Sequence, residues 1–347
     1  MSDYYGTYGQ KVQYLSSDPP APQTGQVWYN STSATLKVRS VTTSGTWASG
    51  GNLNNAAYGM GAVGTQTATL GFGGYGPVPG TTNSNKTESY NGTSWTNLPG
   101  NLNNARYTMA SFGTQTAAIG AGGYFYPGGI QSQTESWNGS SWTSVNSLPT
   151  GKGSGASAGT QTAGIFSGGY PPSNLVTNTS LLWGGTSWTA TGNLNVSRAA
   201  ISGAGTQTAS LAIGGYNPPS SPGVNTGSTE SYNGSTWTNL PATLNTARNN
   251  AGTSGDQTSA IIFAGDGPTL SPASFLSATE IWNGSTWTSN PTGLSQKRNS
   301  MPRGPVGTAS DGIAIGGYNP PSSPITIANA EEWSGPGAGT TKTVTVT

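Results

Sequence analysis

The sequence predicts an all-β, six-bladed propeller whose ring is closed by an N-terminal strand around Trp47 that completes the last, C-terminal blade. Three observations predict it. Tryptophan recurs in one setting, at Trp47, Trp95, Trp142, Trp188, Trp237 and Trp287, at intervals of 48, 47, 46, 49 and 50 residues, the length of a four-stranded blade. Between these tryptophans the same signals follow in order: a linker like NLNNAR, an apolar run, a GTQT turn, a second run ending in Gly-Gly-Tyr, a variable loop, then TESYNG and SWT. The last repeat lacks its SWT strand, while a spare one, SGTWAS, precedes the first. Moving the spare strand into the gap leaves no open sheet edge.

Composition agrees with a single β body. The 347 residues include 54 Gly and 23 Pro with only 7% charged residues, which speaks against long amphipathic helices, while 11 Trp and 15 Tyr supply the apolar surface that orders the chain. Twelve basic against eleven acidic residues give a net charge of +1, too little field to bind nucleic acid or an anionic membrane. Without cysteine there are no disulfides or thiolate ligands, so packing and ring closure must supply stability. The N-terminal MSDYYGTYGQK has no basic stretch followed by an apolar one, and no run approaches the roughly 18 apolar residues of a membrane span. Neither secretion signal nor membrane insertion is expected.

Each element has a turn that explains it. GTQT-like turns at Gly64, Gly113, Gly159, Gly205, Gly255 and Gly307 join strand a to strand b. Di-glycines at 73–74, 122–123, 168–169, 214–215 and 316–317 end strand b, where a missing Cβ allows close backbone approach, and the fifth blade departs with Gly265-Asp266. Asn-Gly pairs at 91–92, 138–139, 233–234 and 283–284 join strands c and d as tight hairpins. The same tripeptides match the N-glycosylation sequon, but without an export signal turn chemistry explains them. The last unit supplies strands a, b and c, ending at Glu331-Glu332-Trp333.

The di-glycine, the strand c aromatic (Tyr90, Trp137, Trp183, Tyr232, Trp282, Trp333) and the strand d Trp together resemble the Kelch repeat, over about residues 42–335. The resemblance implies the fold and leaves function open, because Kelch propellers include protein-binding modules, glycan-binding modules and oxidases. Glu88, Glu135, Glu230, Glu280 and Glu331 share one slot; Arg106, Arg198, Arg248 and Arg298 share another, with Lys152 replacing Arg in the third blade and gaps at Ala57 and Ser180. Residues repeated in every blade do not mark a single site. They are expected to form ion pairs that lock blades together, with the pairing left open.

No catalytic apparatus is expected. The copper-radical oxidases of this fold need His and a Cys-modified Tyr, and the chain has neither His nor Cys. Glycoside hydrolysis needs two carboxylates about 5 to 9.5 Å apart. Asp256 in an a–b turn and Asp266 beyond the next strand lie roughly 25–30 Å apart on opposite faces by strand length. Asp311 sits on the tip of a neighbouring blade. The expectation is a non-enzymatic protein without cofactor or metal.

Recognition is expected on the b–c loops, which vary in length and content while the turns on the other face repeat almost verbatim. Phe125, Tyr126 and Phe275 are not repeated and are expected to make exposed contacts. Tyr75, Tyr124, Tyr170, Tyr216 and Tyr318 lead five of the six loops; their recurrence suits packing, and Tyr124, Tyr216 and Tyr318 also stand as ligand-binding candidates beside the loop aromatics. Aromatic faces next to Asn, Ser and Thr suit a glycan, and also suit a protein contact.

Residues 1–41 fall outside the repeat. Gly25 to Ser40, GQVWYNSTSATLKVRS, reads as a hairpin with strands QVWYN and TLKVRS around an STSA turn, after the Pro-rich spacer DPPAPQ. It resembles short segments near the N-terminus of structural and tail-fibre proteins of tailed bacteriophages. That resemblance implies a virion protein, tail fibre or capsid decoration, anchored to other virion proteins by residues 1–41 and displaying the propeller, 42–335, for host attachment. The tail, 336–347, alternates as an edge strand able to pair with the hairpin or with a neighbouring subunit. The alternative is a cellular or secreted Kelch-type lectin or protein-interaction adaptor. Ligand, host, place on the particle and oligomeric state are open.

Overall fold

The computed structural model describes residues 12–23, 25–41, 44–76, 82–173, 175–218, 224–270, 273–319, 326–337 and 339–344. Expectations placed on other residues, among them parts of five b–c loops and the start of the anchor, lie outside the described residues. The chain forms two compact units, one combining the residues up to Thr46 with those from Ser334 onward, the other running from Trp47 to Trp333.

The larger unit is built from antiparallel sheets in a propeller-like arrangement, with no helix among the described residues. Five repeats each give a four-stranded sheet in the order a, b, c, d. In repeat one these strands are Gly61–Thr65, Ala68–Phe72, Thr87–Tyr90 and Trp95–Asn97. Repeats two to five follow the same plan, beginning at Ala110, Ala156, Ser202 and Gly252. A sixth sheet has three strands in the order Asp311–Ile315, Ala330–Ser334, Thr46–Ser49.

Strand a, expected in this last repeat, is absent among the described residues. Pro302 and Pro305 lack the N–H groups a ladder requires, and the segment keeps only isolated bridges, Thr253 with Pro305 and Gly307 with Gly312. Instead it reaches several other repeats: Gly203 N donates to Arg303 O at 2.8 Å, and a Cβ on Gly304 would meet Ser111 O at 2.3 Å.

The core lies between sheets. Val63, Leu70 and Phe72 of repeat one pack against Met109, Ala118, Trp137 and Trp142 of repeat two, with Phe72 and Trp142 ring centroids 4.6 Å apart. Each such aliphatic or phenyl side chain stabilises the pair by about 1.5–3 kcal/mol through burial. The polar ends of the tryptophans are also used. The strand d indole reaches back to the first residue of strand c in the preceding repeat: Trp142 Nε1 to Thr87 Oγ1 at 3.0 Å, Trp188 to Thr134 at 3.0 Å, Trp237 to Ser180 at 3.1 Å and Trp287 to Thr229 at 3.0 Å. Glutamine of the GTQT turn does the same with its amide, as when Gln115 Nε2 donates to Tyr90 O at 2.6 Å.

The repeated charges pair within a repeat: Arg106 with Glu135, Arg198 with Glu230, Arg248 with Glu280 and Arg298 with Glu331, all buried. The tie to the neighbouring sheet comes from the arginine backbone, since the N–H of the second di-glycine residue in the preceding repeat donates to its carbonyl, for example Gly215 N to Arg248 O at 2.9 Å. Ser180 is not the gap in the glutamate series. Phe166 pairs with Leu181 where Gly120 pairs with Glu135, so Leu181 fills the glutamate slot, and Ser180 is the acceptor for Trp237. The di-glycine slot of repeat five also shifts by one residue, to Ala264-Gly265, with Ala264 forced to a left-handed φ of 61° next to 58–66° for the glycines in the same slot.

The smaller unit is a four-stranded sheet in the order Gln13–Leu15, Val27–Asn30, Thr35–Val41, Gly339–Val344. The hairpin turn occupies residues 31–34, and the C-terminal strand pairs antiparallel with Thr35–Val41. Asp18 from the spacer ties it together, accepting from Trp28 Nε1 at 3.0 Å, Asn30 Nδ2 at 2.7 Å and Lys37 Nζ at 2.7 Å. The bonds from Lys37, Asn30 and Trp28, in that order, lower its carboxyl to about 2.

Candidate functional site

Two positions before strand a in five repeats, and at the equivalent place in the last, a residue takes a left-handed φ: Gly59, Thr108, Ser154, Ala200, Asn250 and Ser300, at 54–62°. These residues hand a backbone hydrogen bond from repeat to repeat. Gly59 N donates to Ser300 O (2.7 Å), Thr108 N to Gly59 O (2.5 Å), Ser154 N to Thr108 O (2.9 Å), Ala200 N to Ser154 O (2.6 Å), Asn250 N to Ala200 O (3.0 Å) and Met301 N to Asn250 O (3.2 Å). The residue before each member bridges to the first residue of the b–c loop, giving Tyr58–Tyr75, Tyr107–Tyr124, Gly153–Tyr170, Ala199–Tyr216, Asn249–Asp266 and Asn299–Tyr318. Side chains from the linkers and the loops are thereby gathered on one face.

That face is not uniform. In repeats one, two and six it is aromatic: Tyr58 lies 5.5 Å from Tyr75, 6.1 Å from Tyr107 and 5.2 Å from Tyr318 between ring centroids, and Tyr107 lies 5.0 Å from Tyr75 and 5.4 Å from Tyr124. All five are half-buried. Burial pushes the Tyr58 hydroxyl up to about 12 and raises that of Tyr107 as well, so both stay neutral and able to donate. A depression of about 240 Å3 between Tyr107, Thr108, Tyr124, Ile130, Ser154 and Tyr170 continues the cluster.

Repeat five is polar. Asp266 stands where the other loops carry tyrosine and accepts from Asn250 Nδ2 at 2.8 Å and Asn299 Nδ2 at 2.7 Å, while Asn249 Nδ2 donates to Asn225 Oδ1 at 2.6 Å. Arg303, 3% exposed, donates through Nη2 to Asn250 Oδ1 at 2.7 Å. Burial lowers its pKa to about 10, against the pull of Tyr170 and Asp266, so it remains a cation at neutral pH. The two sides together offer ring faces for stacking and fixed amide, carboxylate and guanidinium groups for hydrogen bonding, which suits a ligand with apolar C–H faces and hydroxyls.

Of the residues singled out in the sequence, the structure brings Tyr124 and Tyr318 into the aromatic cluster. Phe275 is half-buried against Tyr318, with centroids 6.4 Å apart, rather than exposed. Phe125 and Tyr126 stand at the tip of a short hairpin, 40% and 59% exposed, with the Tyr126 backbone held by the Asn83 side chain at 2.7 and 3.0 Å. Tyr216 pairs with Asn225 in the loop hairpin of repeat four. Asp256 and Asp311 serve their own turns, Asp256 Oδ1 accepting from Thr258 N at 2.7 Å and Asp311 Oδ2 from Ser310 Oγ at 2.7 Å. Sequence reasoning missed Tyr58, Tyr107, Asn249, Asn250, Asn299 and Arg303. The available signals were the aromatic before strand a in only two repeats, the doubled Asn at 249–250 and an Arg outside the repeated slots.

No family model matches this chain, and no curated protein matches it. Among solved structures, the one titled "Structure of YjhT" is similar, with a TM-score of 0.64 at 13% identity, over 80% of this chain and 95% of that one. At that identity the likeness concerns the fold alone, a propeller-like arrangement of repeated sheets.

Proposed function

We propose that this protein is a non-enzymatic binding module of virion-appendage type: a six-bladed, Kelch-like propeller whose loop face recognises a host-surface glycan and whose smaller unit is the tether. Three observations support six blades and closure. The six apolar clusters join successive repeats, and one of them combines Val306, Ile313 and Ile315 with Met60, Ala62 and Trp95. Trp47 Nε1 donates to Thr279 Oγ1 at 2.8 Å, the bond made by strand d tryptophans elsewhere. Gln66 reaches Trp333 O at 2.7 Å, as the other turn glutamines reach the repeat before them. The appendage reading rests on the N-terminal hairpin's resemblance to phage proteins and on the near-verbatim repeats.

The observation that carries the binding reading is the aromatic cluster around Tyr58 and Tyr107 together with the Asp266–Asn250–Arg303 group. A glycan array comparing the wild type with Tyr58→Ala/Tyr107→Ala tests it. Loss of one stacking face predicts roughly tenfold weaker binding or worse; unchanged binding to every glycan sinks it. Antibody against the propeller should label phage particles in electron micrographs, and removal of residues 1–40 should leave a folded propeller that no longer assembles. Deletion of residues 42–49 should prevent folding, and identical behaviour of the two deletions would refute the division into tether and ring.

A further inference from the structure

Repeat one contains a carboxylate without its cation. Glu88, 2% exposed, occupies the slot of Glu135, Glu230, Glu280 and Glu331, but Ala57 stands where those repeats carry Arg. The backbone of Ala57 is in register with theirs, since Gly317 N donates to Ala57 O at 3.0 Å as Gly215 N does to Arg248 O at 2.9 Å. Only the side chain is missing.

The sibling repeats show what the missing group does. Arg198 donates to Gly214 O (2.7 Å), Ser228 O (2.9 Å), Ala212 O (3.2 Å) and Glu230 Oε1 (3.0 Å). Arg248 reaches Ala264 O, Ala278 O and Glu280 Oε1 at 3.2, 2.9 and 2.6 Å. Arg298 reaches Gly316 O, Asn329 O and Glu331 Oε1 at 3.1, 3.0 and 2.6 Å. By slot, the acceptors in repeat one are the carbonyls of Gly71, Gly73 and Lys86 and the Glu88 carboxylate. All four residues line a single cavity of about 340 Å3, together with Ala57 and Asn83. Met60 also lines it, yet Met109 fills the same slot beside Arg106 in repeat two, so the methionine does not stand in for the arginine. Glu88 is held by Asn54 and Asn55, whose side-chain amides donate at 3.0 and 2.8 Å. These neutral donors orient the carboxylate and leave its charge unmatched inside the protein.

We propose that this cavity is a receptor for a guanidinium group supplied from outside the chain, either as the free ion or on an arginine side chain. The planar group fits because three carbonyls and a carboxylate are already arranged for its N–H donors, as they are for the resident arginines. From the b–c loop the cavity is lined by Asn83, whose side chain also donates to Tyr126 O, and by Lys86, an exposed residue.

Calorimetric titration of the full chain with guanidinium chloride at low concentration, against equal sodium chloride, should show saturable binding at one site. N-acetyl-arginine methylamide should bind at the same site, and the lysine analogue about tenfold more weakly or worse, because it lacks the fork. Ala57→Arg fills the cavity from within and should abolish binding. Glu88→Gln removes the charge and should weaken binding about tenfold or more, so that either folded variant suffices. Absence of saturable binding above the salt control, or binding unchanged in a folded variant of either kind, overturns the proposal. Saturation by the free ion but not by the arginine derivative rules out the side-chain source and retains the ion.

Discussion

Repeats three and four share a frame down to the tryptophan hydrogen bonds, and they accommodate a buried basic side chain in different ways. In repeat four Arg198 meets Glu230. In repeat three Lys152 faces Leu181 in the carboxylate slot and rests on Phe166 O at 3.2 Å, Thr179 O at 2.6 Å and the Phe166 ring, 4.8 Å from its centroid. Lysine here reaches two of the carbonyls that the guanidinium reaches next door. The comparison teaches that the frame first requires donors for strand-end carbonyls, and that the ion pair is one way of keeping such a donor charged.

The largest effect should come from breaking the pair. Glu230→Gln or Arg198→Met leaves a buried charge or orphaned carbonyls and should cost about 3–5 kcal/mol, measured by urea unfolding. An unchanged midpoint would mean that repeat four needs the pair no more than repeat three does.

The unpaired lysine predicts a pH dependence of opposite origin. Burial lowers the Lys152 ammonium from 10.5 to about 7, so between those values the unfolded chain binds more protons than the folded one. Stability should therefore rise as pH is raised from about 7 toward 10, by at most about 1.4 kcal/mol per pH unit, and the cost of burying the charge is fully present below 7. The rise should vanish in Lys152→Met, and shrink in Leu181→Glu as the new carboxylate holds the proton on the amine. A slope that survives Lys152→Met belongs to another group.

The smallest effect concerns a tryptophan. Trp95 Nε1 is buried without a partner because Ala330 occupies the slot filled by Thr or Ser in the other repeats. Ala330→Thr should add about 1 kcal/mol, and Thr229→Ala should remove a similar amount from the Trp287 bond. A stabilised Thr229→Ala would show that these bonds do not set the strand positions.

Much of this frame was legible because its signals are side chains at fixed intervals: the tryptophans, Asn-Gly turns, GTQT turns and Arg and Glu slots. Two registers slipped by one residue, at Ser180 against Leu181 and at Gly265 against Ala264, where the repeat carries a substitution and composition gives no anchor. The left-handed line through Gly59, Thr108, Ser154, Ala200, Asn250 and Ser300 was invisible, since it is a backbone property shared by five residue types. The missing strand a of the last repeat was signalled by Pro302 and Pro305, but the place its Arg303 takes beside Asn250 depends on neighbours more than 50 residues away in sequence. The Arg303 part of the candidate site follows from that displacement and so was illegible with it, whereas Asp266 and the doubled Asn at 249–250 stood in the sequence as departures of the fifth repeat.

The hydrogen-bonded line from Gly59 to Met301 has a mechanical consequence. Every link is main chain to main chain, so a load applied to any one loop passes along the line to all six repeats instead of prying a single sheet open. Side chains along it are free to change while the load path persists. Proline is the exception, since it removes the N–H that carries the tension.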